Sequence, residues 1–146
     1  VASYAENRKA HFNYEILDKY EAGVELLGPE VKSVRGGRMS LEGSFVVVRG
    51  GEAYLLNASI PPYQPNNVPS DYNPLRTRKL LLTKKEMNEL RAAEAAKLTI
   101  VPLRVYNKGK KIKVEIAKVK GKKKHDKRES IKRRETDREI RREMKR

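Results

Sequence analysis

The sequence predicts a mainly β chain with helices (α+β), a small antiparallel barrel of about six strands ending in a basic extension. Three observations predict it. Short runs of β-branched residues alternate with polar neighbours and are separated by Gly, Asn and Pro turns. Two segments of the body carry helix start signals. The last 26 residues hold almost nothing apolar, and 13 basic side chains against 6 acidic ones.

Residues 1–10 are polar and read as an arm. Phe12, Tyr14 and Ile16 alternate with polar neighbours, which predicts a half-buried strand continuing through Tyr20 to Leu26. Gly28-Pro29 opens a short helix, with Pro at its first position, and Gly36-Gly37 closes it. Val31 and Val34 share one face of that helix; Lys32 and Arg35 share another. Phe45 to Val48 is a strand, Arg49-Gly50-Gly51-Glu52 a hairpin turn, and Ala53 to Leu56 the return strand. Residues 61–74 hold five of the seven prolines and form an irregular loop. Arg76-Thr77-Arg78-Lys79 leads into Leu80-Leu81-Leu82. Alternation cannot bury all three leucines, so Leu80 and Leu82 are assigned to the core and Leu81 to a contact surface. Thr83 and Glu86 form a capping box for a helix reaching about Lys97. Leu98 to Tyr106 is a strand, Asn107-Lys108-Gly109 a turn, and Ile112, Val114, Ile116 and Val119 mark a last alternating strand. Such a barrel suits an OB-like platform for nucleic acid, an argument from fold alone.

The 146 residues fit one domain, and the formal net charge of +15 points to a polyanionic partner, most often nucleic acid. The absence of cysteine excludes disulfides, thiolate zinc sites and Cys nucleophiles, and fits a reducing cytosol. No apolar run approaches the ~20 residues of a membrane span. Val1-Ala2-Ser3-Tyr4 lacks the charged-then-apolar order of a secretory signal. His11 and His125 are far apart and match no metal-ligand spacing, and neither a P-loop nor a dinucleotide fingerprint is present. No cofactor and no metal is expected.

The charge divides the chain. Residues 1–120 carry a net +8 and read as the folded body; residues 121–146 carry +7 and read as a tail. In the tail only Ile131, Ile140 and Met144 are apolar, too little to offset the ordering entropy, so alone it is expected to be disordered. It has no proline, Asp126 and Glu129 are spaced as a capping box, and Glu129 to Arg133 is a favourable acid-before-base pair. Ile131 and Ile140 fall about 180° apart on a helical wheel, so no apolar stripe exists. Helix formation is therefore expected on phosphates rather than in an apolar groove. A solubility or localisation tract is the plainer alternative for such a segment.

Candidate contacts in the body begin with Arg76, Arg78 and Lys79, a dense cluster suited to phosphates or to a solvated loop end. Arg35-Gly36-Gly37 and Arg49-Gly50-Gly51 resemble RGG elements, but a helix stop and a hairpin turn account for both. Glu21 and Glu30 could pair in space as a nuclease's carboxylates; two ordinary surface glutamates is the preferred reading. Aromatic residues are sparse, which favours shape and backbone recognition of a structured RNA over base-by-base stacking. A general RNA-binding or ribosomal protein with a basic extension is the competing class.

Several segments together resemble the SmpB family of bacterial trans-translation. They are Glu6-Asn7-Arg8-Lys9, Tyr14-Glu15-Ile16, Tyr20-Glu21-Ala22-Gly23, Glu30-Val31-Lys32-Ser33, Arg76 through Leu82, and Gly121 through Arg128. No single segment is decisive; their order and spacing are. The resemblance implies an OB-like barrel with a C-terminal tail that is disordered when free and helical when bound. It implies binding to the tRNA-like domain of tmRNA, with elongation factor Tu and GTP as indirect partners. It implies entry to the A site of stalled ribosomes, contact with small-subunit rRNA, a monomer and a cytoplasmic location. Asn7, Glu21 and Leu81 match family positions implicated in RNA binding, and Lys32, Arg35, Arg76, Arg78 and Lys79 complete the expected surface. Gly121, Lys122, Lys123, Lys124, His125, Asp126, Lys127, Arg128, Ile131, Lys132, Arg133 and Arg134 are expected to reach the decoding site and the empty mRNA channel. Phe12 stands where some members carry histidine, and is given no RNA contact.

Overall fold

The computed structural model describes residues 3–64 and 71–122. Their chain order is β1 (Ser3–Glu6), α1 (Arg8–Asn13), β2 (Tyr14–Val24), α2 (Gly28–Arg35), β3 (Phe45–Arg49), β4 (Glu52–Leu56), β5 (Arg78–Leu81), α3 (Lys84–Ala95), β6 (Thr99–Lys108) and β7 (Lys111–Gly121). The strands form one antiparallel sheet in the order β1-β6-β7-β2-β5-β4-β3. Both hairpins follow the turn residues. Gly50 and Gly51 have φ of 58° and 77°, the left-handed conformation a tight turn demands between Arg49 and Glu52. The turn after Lys108 returns β7 on β6 with Tyr106 opposite Lys113.

The register shifts between Ile16 and Asp18 on β2, and between Pro102 and Arg104 on β6. Such irregularities bend long strands, and one of them accommodates a proline that cannot donate to a ladder. The sheet curls far enough to bring β3 close to β6. Among the described strands no ladder joins β3 to β1 or β6, so the sheet is curled without hydrogen-bonded closure. The expected barrel therefore holds as an antiparallel sheet with flanking helices, with seven strands rather than about six.

The extra strand comes from the expected arm. Ser3 and Ala5 pair with Tyr106 and Val105, and Ala5 enters the core. The chain then forms α1, so Phe12 is helical and the strand begins only at Tyr14. Asn7 pins this junction: its backbone N–H donates to Leu103 O at 2.8 Å, and its side-chain amide to Pro102 O at 3.0 Å.

The main core lies on the inner face, where Ala22, Leu55, Leu80, Val105, Val114 and Ile116 are fully buried with Leu90 of α3 and Val34 of α2. Thr83 caps α3 as expected, its hydroxyl accepting from Glu86 N at 3.2 Å while the Glu86 carboxylate accepts from Thr83 N at 3.0 Å. A second small core sits on the other face, where Ala10 of α1 covers Val101, Leu103, Ala117 and Val119. One end of β6 and β7 is thus buried on both faces.

A charged node crosses the main core. Glu30 of α2 is 1% exposed, so it is not the surface glutamate the sequence suggested. It accepts from Leu27 N at 2.8 Å, from Arg76 Nε at 3.0 Å, and from Arg78 Nε and Nη2 at 3.0 and 2.5 Å. The Tyr72 hydroxyl lies 2.7 Å from Ile60 O and 3.0 Å from Glu30 Oε2, its single proton shared between them. Arg78 also donates to Ala58 O at 2.6 Å. The node joins α2, the proline loop and β5.

β7 runs through Gly121, and Lys122 N donates to Asn13 O at 3.0 Å. No helix of the described residues is long and apolar enough to cross a membrane.

Glu30→Gln should cost about 3–5 kcal/mol of stability in urea unfolding at pH 7, because it leaves a buried arginine without its counter-charge. Burial pushes the Glu30 carboxyl up, but donation from Arg76, the Leu27 N–H and Arg78 outweighs it and holds the carboxyl at about 2. A carboxyl lowered by folding contributes its full stability above its unfolded value, near 4.5, and loses it as pH falls through about 2. Urea midpoints should therefore decline across that window in the wild type, with a shallower decline in Glu30→Gln.

Candidate nucleic-acid interface

Alternation sets the outer face. Ala22 and Leu80 point into the core, so Glu21, Gly23, Lys79 and Leu81 point out. The register aligns Glu21 with Glu115 and Arg104, and Gly23 with Lys113 on one side and Leu81 on the other. Glu21 and Leu81, far apart in sequence, become near neighbours on one surface.

Glu21 is held in place. It accepts a hydrogen bond from the Tyr106 hydroxyl and another from Lys108 Nζ at 2.9 Å. Tyr106 foremost, then Lys108, holds its carboxyl below the usual carboxylate range against the opposing effect of desolvation. Burial, and next the bond to Glu21, pushes the Tyr106 hydroxyl up to about 12. The Arg104 guanidinium lies 4.5 Å over the Tyr106 ring and 3.7 Å from Glu115. At neutral pH this is an ionised acceptor within a set of cations, suited to RNA hydroxyl and amino donors beside phosphates.

Leu81 is 49% exposed, as expected of a contact residue. A Cβ built on Gly23 would meet Leu81 Cβ at 3.2 Å, so the bare glycine leaves Leu81 its position. Leu82 is partly buried against the core.

The other expected residues divide. Asn7 is half-buried, its amide donating to Pro102 O. Lys32 and Arg35 lie on the exposed side of α2; Arg35 Nη2 donates to Lys110 O at 3.1 Å, and Lys32 Nζ is 5.9 Å from the Tyr63 ring. Arg76 keeps a partly exposed side chain while bound to Glu30, and borders a surface cleft with Lys79. Lys79 Nζ is 3.4 Å from Glu52. Arg78 is a correction: its side chain is 0% exposed and spent on Glu30, Ala58 O and Tyr72, so it offers no phosphate contact. Arg78 shares the face of Leu80, which alternation had already turned inward. Glu21 and Glu30 have separate sets of partners and form no carboxylate pair. Sequence reasoning missed Arg104, Tyr106, Lys108 and Lys113, which only the β6–β7 register brings beside Glu21.

Of the tail, Gly121 ends β7 and Lys122 Nζ donates to His11 O at 3.0 Å. Lys123, Lys124, His125, Asp126, Lys127, Arg128, Ile131, Lys132, Arg133 and Arg134 lie outside the described residues.

The outer face is a curled, cationic sheet surface with an exposed leucine and a fixed carboxylate, a form suited to a structured polyanion. A family model described as SmpB protein matches residues 4–146. The chain is 50% identical over 142 residues to the SsrA-binding protein of Gloeothece citriformis, covering 97% of this chain and 92% of that protein. It is 51% identical over 142 residues to the SsrA-binding protein of Mesoplasma florum, covering 97% and 95%. Among solved structures, a chain from "tmRNA-SmpB: a journey to the center of the bacterial ribosome" superposes with a TM-score of 0.67 at 42% identity, covering 86% of this chain and 92% of that one. The chain belongs to the SmpB family.

Arg78→Ala and Lys79→Ala should separate structure from surface. The first should lose about 3–5 kcal/mol in urea unfolding, since it leaves Glu30 buried without its fully buried partner. The second breaks only a surface pair and should stay within about 1 kcal/mol of wild type.

Proposed function

We propose that this chain is the SsrA (tmRNA)-binding protein of trans-translation in the cytoplasm of its cell. Its body binds the tRNA-like domain of tmRNA, and its tail reads the vacancy of the mRNA channel. The observation that carries this reading is the family match along nearly the whole chain, joined to an outer face that sets Leu81 beside the ionised Glu21. Asn7 orients the edge of that face, and Lys32, Arg35, Arg76 and Lys79 supply charge for phosphates. Sparse exposed aromatics favour recognition of a folded RNA by shape.

The tail, from Gly121 to at least Arg134, is assigned to the decoding site and the empty channel of a stalled small subunit. Its first basic residue, Lys122, is held against α1 by bonds to His11 O and Asn13 O. Downstream mRNA would fill the channel and exclude the tail; a truncated message leaves room. Ordering a +7 segment costs entropy, so it docks only where rRNA phosphates offset that cost. Elongation factor Tu with GTP enters through the aminoacylated tmRNA, and the protein acts as a monomer. Rescue and tagging of the nascent peptide for degradation follow.

Deleting residues 123–146 should leave tmRNA affinity nearly intact in a filter-binding assay and abolish peptidyl transfer to tmRNA on stalled ribosomes. Loss of tmRNA affinity would overturn the division of labour. Competition with bulk tRNA separates this reading from a general RNA-binding protein, which would show no preference for the tRNA-like domain. Charge reversal at Lys122, Lys123 and Lys127 should weaken ribosome engagement, most at low salt and less as salt screens the lost contacts.

A further inference from the structure

The curled sheet ends on a seam. β3 is its last strand and comes close to β6, yet among the described residues no backbone bond joins the two. At one end of the seam, Ser44 and Phe45 face Thr99 and Val101 across an open cleft of about 420 Å³ beside α1. The other end is sealed by side chains. Glu94 of α3 accepts from Val48 N at 2.9 Å through Oε1, and from Arg49 Nη1 at 3.3 Å through Oε2. The same guanidinium nitrogen donates to Val48 O at 2.6 Å. Both backbone groups that Val48 turns away from β4 are thus satisfied without a neighbouring strand.

We propose that Glu94, with Arg49, is a latch in place of the missing ladder: it holds the free edge of β3 against α3 and closes that edge to a second copy of this chain. An edge strand presents a row of unpaired N–H and C=O groups on which another strand can pair. By alternation Val46 turns its own N–H and C=O to the same side as Val48, so two successive outward positions would otherwise stand open. With Val48 occupied, an incoming strand finds only Val46, too short a run to pair. The placement of Glu94 points the same way. It is the penultimate residue of α3, where the helix dipole disfavours an anion, and that last turn holds no basic residue to offset it. An acid set there finds its partners off the helix, on the strand. An ordinary surface ion pair would leave both side chains in water, whereas the Glu94 side chain is only 25% exposed and gives one oxygen to the backbone. The inference stands apart from the tmRNA reading, since neither Glu94 nor Arg49 is among the residues assigned to RNA.

The test follows amide hydrogen exchange of the full-length protein by NMR. Glu94→Ala removes both the acceptor for Val48 N and the partner of Arg49. It should speed exchange of the Val48 amide roughly tenfold or more, with the amides of Val114 and Ile116 in β7 unchanged. Glu94→Gln keeps an acceptor at the same reach and should hold the Val48 amide within about threefold of wild type. Self-association is read by sedimentation in about 1 M salt, where the Debye length falls to about 3 Å and the net charge of +15 no longer keeps copies apart. There Glu94→Ala should associate as its concentration rises, while wild type and Glu94→Gln stay monomeric. The latch is overturned if Val48 exchanges alike in Glu94→Ala and wild type, or if Glu94→Gln exchanges as fast as Glu94→Ala. It is overturned too if Val114 and Ile116 speed up equally, because Glu94 would then support the whole fold rather than one edge. Closure against a second copy is overturned if Glu94→Ala stays monomeric at every concentration, or if wild type associates as well.

Discussion

The outer face depends on an interaction beneath it. Glu30, Arg76, Arg78 and Tyr72 form a buried node in which one carboxylate satisfies two guanidiniums and the N-terminal N–H of α2. A buried ion pair is weak evidence of stability, because desolvating each charge costs several kcal/mol and a well-packed apolar cluster often does as well (roughly 1–4 kcal/mol better in measured replacements). What the node supplies is connection. It fastens β5, which lies between β2 and β4 in the sheet, to a helix and, through Tyr72, to the proline-rich loop.

On the outside, the same strands carry charge in a different way. Glu21 is not buried, yet it is fixed by the Tyr106 hydroxyl and Lys108, and Tyr106 is covered in turn by Arg104. Preorganisation of this kind reduces the entropy lost when a polar ligand docks. It also lets one acid persist on a strongly basic surface, where its neighbours keep it ionised. A face with fixed acceptors and donors can discriminate among polyanions that bulk charge alone attracts equally.

Local chemistry was legible where it is self-contained. The Thr83–Glu86 capping box, the Gly50-Gly51 turn and the outward Leu81 are each decided by a few adjacent residues. Features decided by distant partners were not. β1 is polar and short, and becomes a strand only because β6 offers an edge whose donors and acceptors it satisfies. Phe12 kept the period of a strand, but Ala10, two residues earlier on α1, packs against Val101 and Ala117, and that small core favours the helix. The Tyr106–Glu21 bond joins residues 85 apart, a pairing no local pattern carries.

Arg78 shows how far alternation can be pushed. In Arg78-Lys79-Leu80-Leu81 the phase that buries Leu80 must also turn Arg78 inward, whatever its charge. Charge argued for the surface and periodicity for the interior; Glu30 decides between them by making the interior tolerable for an arginine. A slip of β5 by one residue would reverse both faces at once. Lys79 and Leu81 would enter the core, Leu80 would be exposed, and Glu30 would lose the guanidinium that matches it. A purely apolar contact at this point would penalise that slip less, since Leu81 could replace Leu80. The ion pair distinguishes Arg78 from Lys79 by shape as well as charge, because Arg78 reaches Glu30, Ala58 O and Tyr72 with separate donors. The buried charge thus fixes the phase of β5, and the phase of β5 is what sets Leu81 beside Glu21 on the surface proposed for RNA.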